Sequence, residues 1–318
     1  MKLETEKEQV AILIATYNGE KYLKAQIDSL LNQTYSNIIC YIHDDGSSDH
    51  TEAVIDEYAN KYSKRVIKVS GANTGKGAKE NFRYLLKYIE AELYMFCDQD
   101  DIWEKTKVEE CVEAIRFLDQ TKPACIYTDL KVVGENLNLI DSSFYHYTGL
   151  DPLKNTYKDL IMHNVCAGCT MIINRSLRDA MLDLHSQHIA MHDQEAALIA
   201  ALTGNLFFLD RNTILYRQHN DNEIGASKRE SAFDKGLVAI KNVRKYLDKR
   251  KRDINRPREI AKDMLELKGL SEEKKTFLST FAEIGNKRKI DRMRFYADNS
   301  LFRQKINKLW QMWRIVGV

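Results

Sequence analysis

Short apolar runs alternate with helical stripes through the first 130 residues of the chain. Val10–Ala15, Ile38–Ile42, Val66–Val69, Leu93–Cys97 and Ala124–Tyr127 have the length and β-branched or aromatic content of buried strands. Between them, apolar positions recur three or four residues apart. Leu23, Ile27, Leu30 and Leu31 form one stripe, Val54, Ile55 and Tyr58 a second, and Phe82, Leu85, Leu86 and Ile89 a third. This strand–helix alternation predicts an α/β fold, a mostly parallel sheet with helices on both faces. Residues 131–227 are more mixed. They offer strand candidates at Thr170–Ile173, Leu206–Leu209 and Ile214–Tyr216 and a helix across Gln194–Leu202. From Ser231 the pattern is helical and rich in Lys and Arg, with an interruption expected near Asn255-Arg-Pro257.

At 318 residues the chain exceeds the common size of one domain, so a large domain with an appendage, or two domains, is expected. The net charge of +2 conceals an asymmetry. From Lys228 onward there are about 25 Lys/Arg against 12 Asp/Glu, and before it 23 against 34. The acidic body (residues 8–227) suits metal and nucleotide-phosphate chemistry, and the basic region (228–318) suits an anionic surface. A nucleic-acid partner is disfavoured, because the basic region carries no recognised motif. The six cysteines fall largely in apolar runs, and the Cys166–Cys169 pair lacks the second pair or His ligands of a zinc site. A packing role in a reducing cytoplasm is the expectation. The charged N-terminus is unlike a signal peptide, and no apolar run reaches membrane-spanning length.

The strongest chemical signal is Met95-Phe-Cys-Asp-Gln-Asp-Asp-Ile-Trp103, a buried strand ending in Asp98, Asp100 and Asp101. Clustered carboxylates repel, and a hard divalent ion such as Mg²⁺ or Mn²⁺ relieves this while leaving positions for phosphate oxygens. The plainer alternative is an acidic turn capping a helix that begins near Trp103. Two further loops follow strands on the same side: Ala15-Thr-Tyr-Asn-Gly-Glu-Lys21, with Thr16 and Asn18, and His43-Asp-Asp-Gly-Ser-Ser-Asp49, with Asp44 and Asp45. A carboxylate in the second could accept the imide N–H of a uracil or thymine, or simply form an Asx turn capping the helix near His50. Three such loops on one rim are hard to reach by chance, since ligands bind at strand carboxyl ends in open α/β sheets. The Gly-rich stretch Gly71–Gly77 is not a phosphate-binding P-loop, and Lys76 is a weak phosphate candidate within it.

Val10-Ala-Ile-Leu-Ile-Ala-Thr-Tyr-Asn-Gly-Glu-Lys-Tyr-Leu23, the Asp-Asp-Gly-Ser-Ser-Asp loop and Asp98-Gln-Asp-Asp-Ile-Trp103 together resemble glycosyltransferase family 2, over residues 8–227. Met191-His-Asp-Gln-Glu195 and Leu215-Tyr-Arg-Gln-His219 resemble the bacterial rhamnosyltransferases of cell-wall and surface polysaccharide synthesis. The resemblance implies a GT-A, Rossmann-like fold and inverting, Mn²⁺- or Mg²⁺-dependent transfer from a dTDP- or UDP-sugar, dTDP-L-rhamnose first. A lipid-linked saccharide is the expected acceptor. By the same resemblance Thr16, Asp45 and Asp44 would hold the base and Asp98 the ribose. Asp100 would bind the metal with support from Asp101, His219 would be a second metal or diphosphate contact, and Arg217 its charged neighbour. Asp193 would be the general base, although Asp at that place is also a good N-cap. Many relatives carry Glu where this chain has His192. Gly168, Thr170 and His192 would border the acceptor, although Gly168 and Thr170 could equally form an ordinary turn.

Near the C-terminus, Phe302, Ile306, Leu309, Trp310 and Trp313 share one helical face flanked by Arg303, Lys305, Lys308 and Arg314. Such a helix suits an anionic membrane, giving a protein peripheral to its inner face, or packs on protein, its own domain or a second copy. The competing functions are a UDP-hexose transferase, a sugar-phosphate nucleotidyltransferase and a non-catalytic membrane scaffold. The nucleotidyltransferase would need a Gly-rich basic loop after the first strand, where Thr16–Lys21 has only one glycine. The scaffold leaves the acidic rim unexplained.

Overall fold

The computed structural model describes residues 8–71, 75, 77–184, 186–219, 255–302, 304 and 311. Lys76, residues 220–254 with the helical pattern expected from Ser231, and the named residues of the amphipathic stripe beyond Phe302 lie outside the described residues.

The chain begins β1 (Val10–Thr16), α1 (Leu23–Leu31), β2 (Ile38–Asp44), α2 (Thr51–Lys61), β3 (Val66–Lys68), α3 (Ala78–Tyr88) and β4 (Leu93–Cys97). It continues through β5 (Ile102–Trp103), α4 (Lys107–Ile115), β6 (Ala124–Gly134), β7 (Leu139–Asp141), α5 (Phe144–Thr148) and α6 (Tyr157–Met162). Then come β8 (Ile172–Asn174), α7 (Arg175–Asp183), α8 (His192–Thr203) and β9 (Asn205–Gln218). The sheet runs in the order β3-β2-β1-β4-β8-β6-β9-β5, with β7 paired to β6. β1, β2, β3 and β4 are mutually parallel, and β6 pairs parallel with β9. β8 joins β4 to β6 antiparallel to both, so β6 and β9 run the same way as β1. The expected α/β architecture, with a mostly parallel sheet, is what the chain forms.

Strand residues alternate between two apolar clusters. Ala11, Leu13, Tyr94, Phe96 and Tyr127 face one, and Val10, Ile12, Ile14, Met95 and Ile126 the other. The helical stripes cover both faces: α3, α7 and α8 the first, α1, α2 and α4 the second. Asn174 closes the seam between β8 and α7. Its side-chain oxygen accepts from Leu177 N–H at 3.0 Å and Ala124 N–H at 2.9 Å.

Three local expectations are corrected. No helix begins near Trp103; Ile102–Trp103 pairs antiparallel with β9, and α4 starts at Lys107. The strand expected from Thr170 starts at Ile172, after a single 3₁₀ turn over Gly168–Thr170. Leu206–Leu209 and Ile214–Tyr216 belong to one strand, β9, whose register shifts against β6 around the exposed Asp210-Arg211-Asn212. Periodicity breaks at such a bulge while the strand continues. Residues 255–264 are helical, with Pro257 in the first described turn, where a proline is tolerated; the stretch before residue 255, and with it the expected interruption, lies outside the described residues.

The described C-terminal residues form no separate core. Ile260, Met264, Leu278, Phe281 and Tyr296 share the first cluster with Leu160, Ala196 and Ile199. All six cysteines are buried and free. Among the described residues no helix is long and apolar enough to cross a membrane.

Candidate active site

Parallel pairing sets Thr16 beside Asp44 and Ile14 beside Cys97, so the loops after β1, β2 and β4 emerge side by side. They open onto a cleft of about 910 Å³. Thr16, Asp45, Asp98 and Asp100 line it together with Gly168, His192 and Asp193.

Asp44 and Asp45 divide the work of the second loop. The Asp44 carboxylate accepts from Thr16 Oγ1 at 2.7 Å, Ser47 Oγ at 2.6 Å, and the N–H groups of Gly46 and Ser47 at 3.0 and 2.7 Å. It is thereby committed to folding its own turn. Asp45 faces the cleft, with its Oδ1 accepting Gly75 N–H at 2.9 Å. Asn18 is exposed at φ 49° and its side-chain oxygen accepts Ser48 N–H at 2.8 Å, a link between loops rather than part of the cleft lining.

The acidic loop is tied to β9 at several points. Asp101 is fully buried, and its Oδ1 accepts Arg217 N–H at 3.0 Å. Burial, with Asp100 and Asp98 adding like charge, holds its carboxyl well above the usual carboxylate range. Arg217 Nε donates to the Asp100 carbonyl at 2.8 Å, and its guanidinium lies 4.7 Å from the centre of the Tyr22 ring. Arg217 is thus a buried brace away from the cleft lining. Two residues on, His219 Nε2 meets Asp100 Oδ2 at 2.8 Å.

Asp193, which also lines the cleft, lies in the first turn of α8, half-buried. Burial pushes its pKa up to about 6 against the opposing N–H groups of Gln194 and Gly168. His192 packs between Phe82 and Phe96, ring centres 4.2 and 4.5 Å away. Neither ring nitrogen has a partner among the described residues, and burial lowers its pKa to about 3. The imidazole is therefore neutral and fills space under Gly168, where a Cβ would come within 2.5 Å of its Nε2. Thr170 is buried, and its hydroxyl donates to the Ala167 carbonyl at 2.7 Å.

Sequence reading missed several cleft residues. Gln99 clasps the Tyr17 backbone from both sides, its Oε1 accepting the N–H and its Nε2 donating to the carbonyl, each at 2.9 Å. It sat inside the acidic motif but carried no charge to draw notice. Asn81, from α3, holds His43 through its Nδ1 at 2.9 Å and its carbonyl at 3.1 Å. Arg256, Pro257 and Ile260 reach the cleft from far along the chain, with no local signal.

The sequence matches the profile of "Glycosyl transferase family 2" over residues 11–180. A dTDP-rhamnosyl transferase of Shigella flexneri, RfbG, is 29% identical over 242 residues, 72% of this chain and 79% of that protein. The Escherichia coli UDP-Glc:alpha-D-GlcNAc-diphosphoundecaprenol beta-1,3-glucosyltransferase WfgD is 31% identical over 169 residues, covering 53% of this chain and 61% of that one. In fold the chain resembles S. aureus TarS 1-349, solved with UDP-GlcNAc, at TM-score 0.56 and 17% identity, over 92% of this chain and 80% of that one. The Pyrobaculum calidifontis mannosyltransferase PcManGT, solved with GDP-Man and Mn²⁺, gives 0.55 and 12%, over 92% and 76%. These neighbours share the GT-A arrangement of sheet and helices. With the profile spanning more than half of its length, this chain belongs to glycosyl transferase family 2.

Proposed function

We propose that the protein transfers a sugar with inversion from a nucleoside-diphosphate donor, dTDP-L-rhamnose first, to a lipid-linked saccharide, with Asp193 as general base. One observation carries this reading: a carboxylate with a pKa of about 6 shares a cleft with Asp45, Asp98 and Asp100. Such a group is ionised at neutral pH yet more basic than an ordinary Asp, which suits removal of a hydroxyl proton. The acceptor O–H gives its proton to Asp193 as the oxygen bonds to the anomeric carbon. The bond from that carbon to the diphosphate breaks, and its electron pair leaves with the nucleoside diphosphate. Attack from the face opposite the leaving group turns a β-linked donor into an α-product, with no protein nucleophile. Asp45 and Thr16 hold the base, and Asp98 the ribose.

A hard divalent ion fits the donor set of Asp100 and His219, a carboxylate oxygen and an imidazole nitrogen 2.8 Å apart beside the cleft. Bound there, Mg²⁺ or Mn²⁺ would neutralise charge on the diphosphate. Asp98, Asp101 and Cys169 also bring ligand atoms within 4.8 Å of one another. Burial holds the Cys169 thiol protonated, which suits a hard ion poorly, and Asp101 supports the loop through Arg217.

A UDP-glucose donor is the second reading, favoured by the similarity to WfgD. The same similarity supports a lipid diphosphate acceptor, and with it a place at the inner membrane surface. The test is turnover of dTDP-rhamnose, UDP-glucose, UDP-galactose and UDP-N-acetylglucosamine with Mn²⁺, Mg²⁺ or EDTA on a lipid-linked acceptor fraction. Metal-dependent use of one donor, lost in Asp193→Asn, supports the reading; no turnover and no metal-dependent donor binding would overturn it.

A further inference from the structure

Arg256 lines the cleft and is held against the segment that leads into α8, the helix whose first turn carries Asp193. Its Nε donates to the His188 carbonyl at 2.9 Å. Its two terminal nitrogens have no hydrogen-bond or carboxylate partner among the described residues. An exposed arginine usually finds solvent or a nearby acid, but this one is aimed by a bracket. His188 Nδ1 lies 3.1 Å from both oxygens of Asp263, whose Oδ2 also accepts Ser186 Oγ at 2.6 Å. From below, Lys79 Nζ donates to the carbonyls of Ile189 and Ser186 at 2.7 and 3.2 Å. Three segments distant in sequence thus converge to fix one guanidinium stem and leave its fork open.

The lining nearest Arg256 in the chain is apolar. Pro257 and Ile260, on the same helix, also line the cleft, as does Met191, just beyond the bracketed segment; Leu150 and Met162 add to the apolar part of the lining. A planar fork on an apolar wall suits a phosphate oxygen pair attached to something greasy.

We propose that Arg256 recognises the diphosphate of the acceptor and so selects lipid-diphosphate-linked saccharides over the same saccharides without phosphate. This rests on the transferase reading and adds a specificity residue from the C-terminal region.

The test compares the full-length protein and Arg256→Gln on two probes in detergent free of anionic phospholipid. One is a membrane fraction of diphosphate-linked saccharides, and the other is that fraction after mild acid has cleaved the sugar–phosphate bond. The expected result is a KM for the intact acceptor raised about tenfold or more relative to that for the cleaved one, as for loss of a charge-assisted contact. Arg256→Lys should recover part of that ratio. A merely structural role would raise both KM values together, and that outcome overturns the proposal. An effect seen only when phosphatidylglycerol vesicles are added overturns it too, by making a phospholipid headgroup the anion. If the wild-type protein turns over no donor, even by hydrolysis, the transferase reading has failed rather than the assignment of Arg256.

Discussion

His219 Nε2 lies 2.8 Å from Asp100 Oδ2, although 119 residues separate them. The contact forms because β5, immediately after the acidic loop, pairs with β9 just before His219. Arg217 fastens the same seam through Asp101 and the Asp100 carbonyl. Replacing His219 with Ala should therefore lower transfer about 10-fold to 100-fold, as losing a metal-site contact does. The metal concentration for half-maximal rate should rise with it. A metal titration of the rate checks this, and an unchanged midpoint would remove His219 from the ion site.

Asp193→Asn should abolish transfer by roughly a thousandfold or more, within the range for loss of a general base, while donor binding persists. In the wild type, kcat/KM should fall below about pH 6, where Asp193 takes up a proton. Stability moves the other way. A carboxyl whose pKa rises from 3.8 to about 6 on folding contributes stability that is fully present below its unfolded pKa and is lost as pH rises through about 6. The Asn variant escapes that loss. It should melt higher than wild type at pH 8, by ~1–2 kcal/mol for a half-buried group, and equally at pH 3.5.

Glu195 provides a control for that pH limb. It is buried one turn into α8, with Arg83 NH1 3.8 Å away, and burial raises its pKa to about 7. Its stability contribution is likewise lost as pH rises, here through about 7. Glu195→Gln should be the more stable protein at pH 8 and equal at pH 4, while the activity limb near pH 6 stays in place. A limb that moved with Glu195 would assign the base to the wrong carboxylate. Parallel melting curves and rate profiles across this pH range decide it.

Much of this was legible in the sequence because it is local. The β1–β4 run, its helices and the three acidic loops follow from periodicity and from carboxylates placed after strands. His219 and Asp193 were legible only through motif resemblance, since nothing local brings either to Asp98. The brace made by Arg217 was not legible, because a buried guanidinium and a phosphate-binding one look alike in sequence. Asp44 and Asp45 are adjacent and chemically identical, and only hydrogen-bond geometry tells the turn former from the residue facing the cleft. The wall at Arg256–Ile260 depends on long-range docking that no pattern near residue 256 announces.

That geometry separates the two aspartates experimentally. Asp44→Ala removes the acceptor of four hydrogen bonds and should cost ~2–3 kcal/mol of stability. Asp45→Ala should leave the melting temperature near wild type and raise the donor KM about tenfold, as for one lost hydrogen bond to a bound base. Thermal melts and donor titrations of the two variants give opposite rankings if the division holds. Equal destabilisation by both would mean that Asp45 serves the turn instead.

The C-terminal helices should prove inseparable from the catalytic fold. Phe281, in the helix Glu272–Glu283, is fully buried, with the rings of Phe277 and Phe295 at 5.8 and 6.2 Å and Tyr296 at 5.7 Å. The same apolar cluster holds Ala196 and Ile199 of α8, the helix that carries Asp193. Truncating Phe281 to Ala leaves a cavity the rigid neighbours cannot close, at a cost of ~3–5 kcal/mol. Because Lys274 of the same helix donates to the Ala201 and Leu202 carbonyls of α8 at 3.2 and 2.6 Å, unfolding of the described C-terminal helices should also loosen α8 and remove the proposed base from the cleft. Phe281→Ala should therefore show a lower melting temperature with loss of activity at that same temperature. If activity outlasted the melting of these helices, they would be an accessory layer, and the cleft wall at Ile260 would have to stand without them.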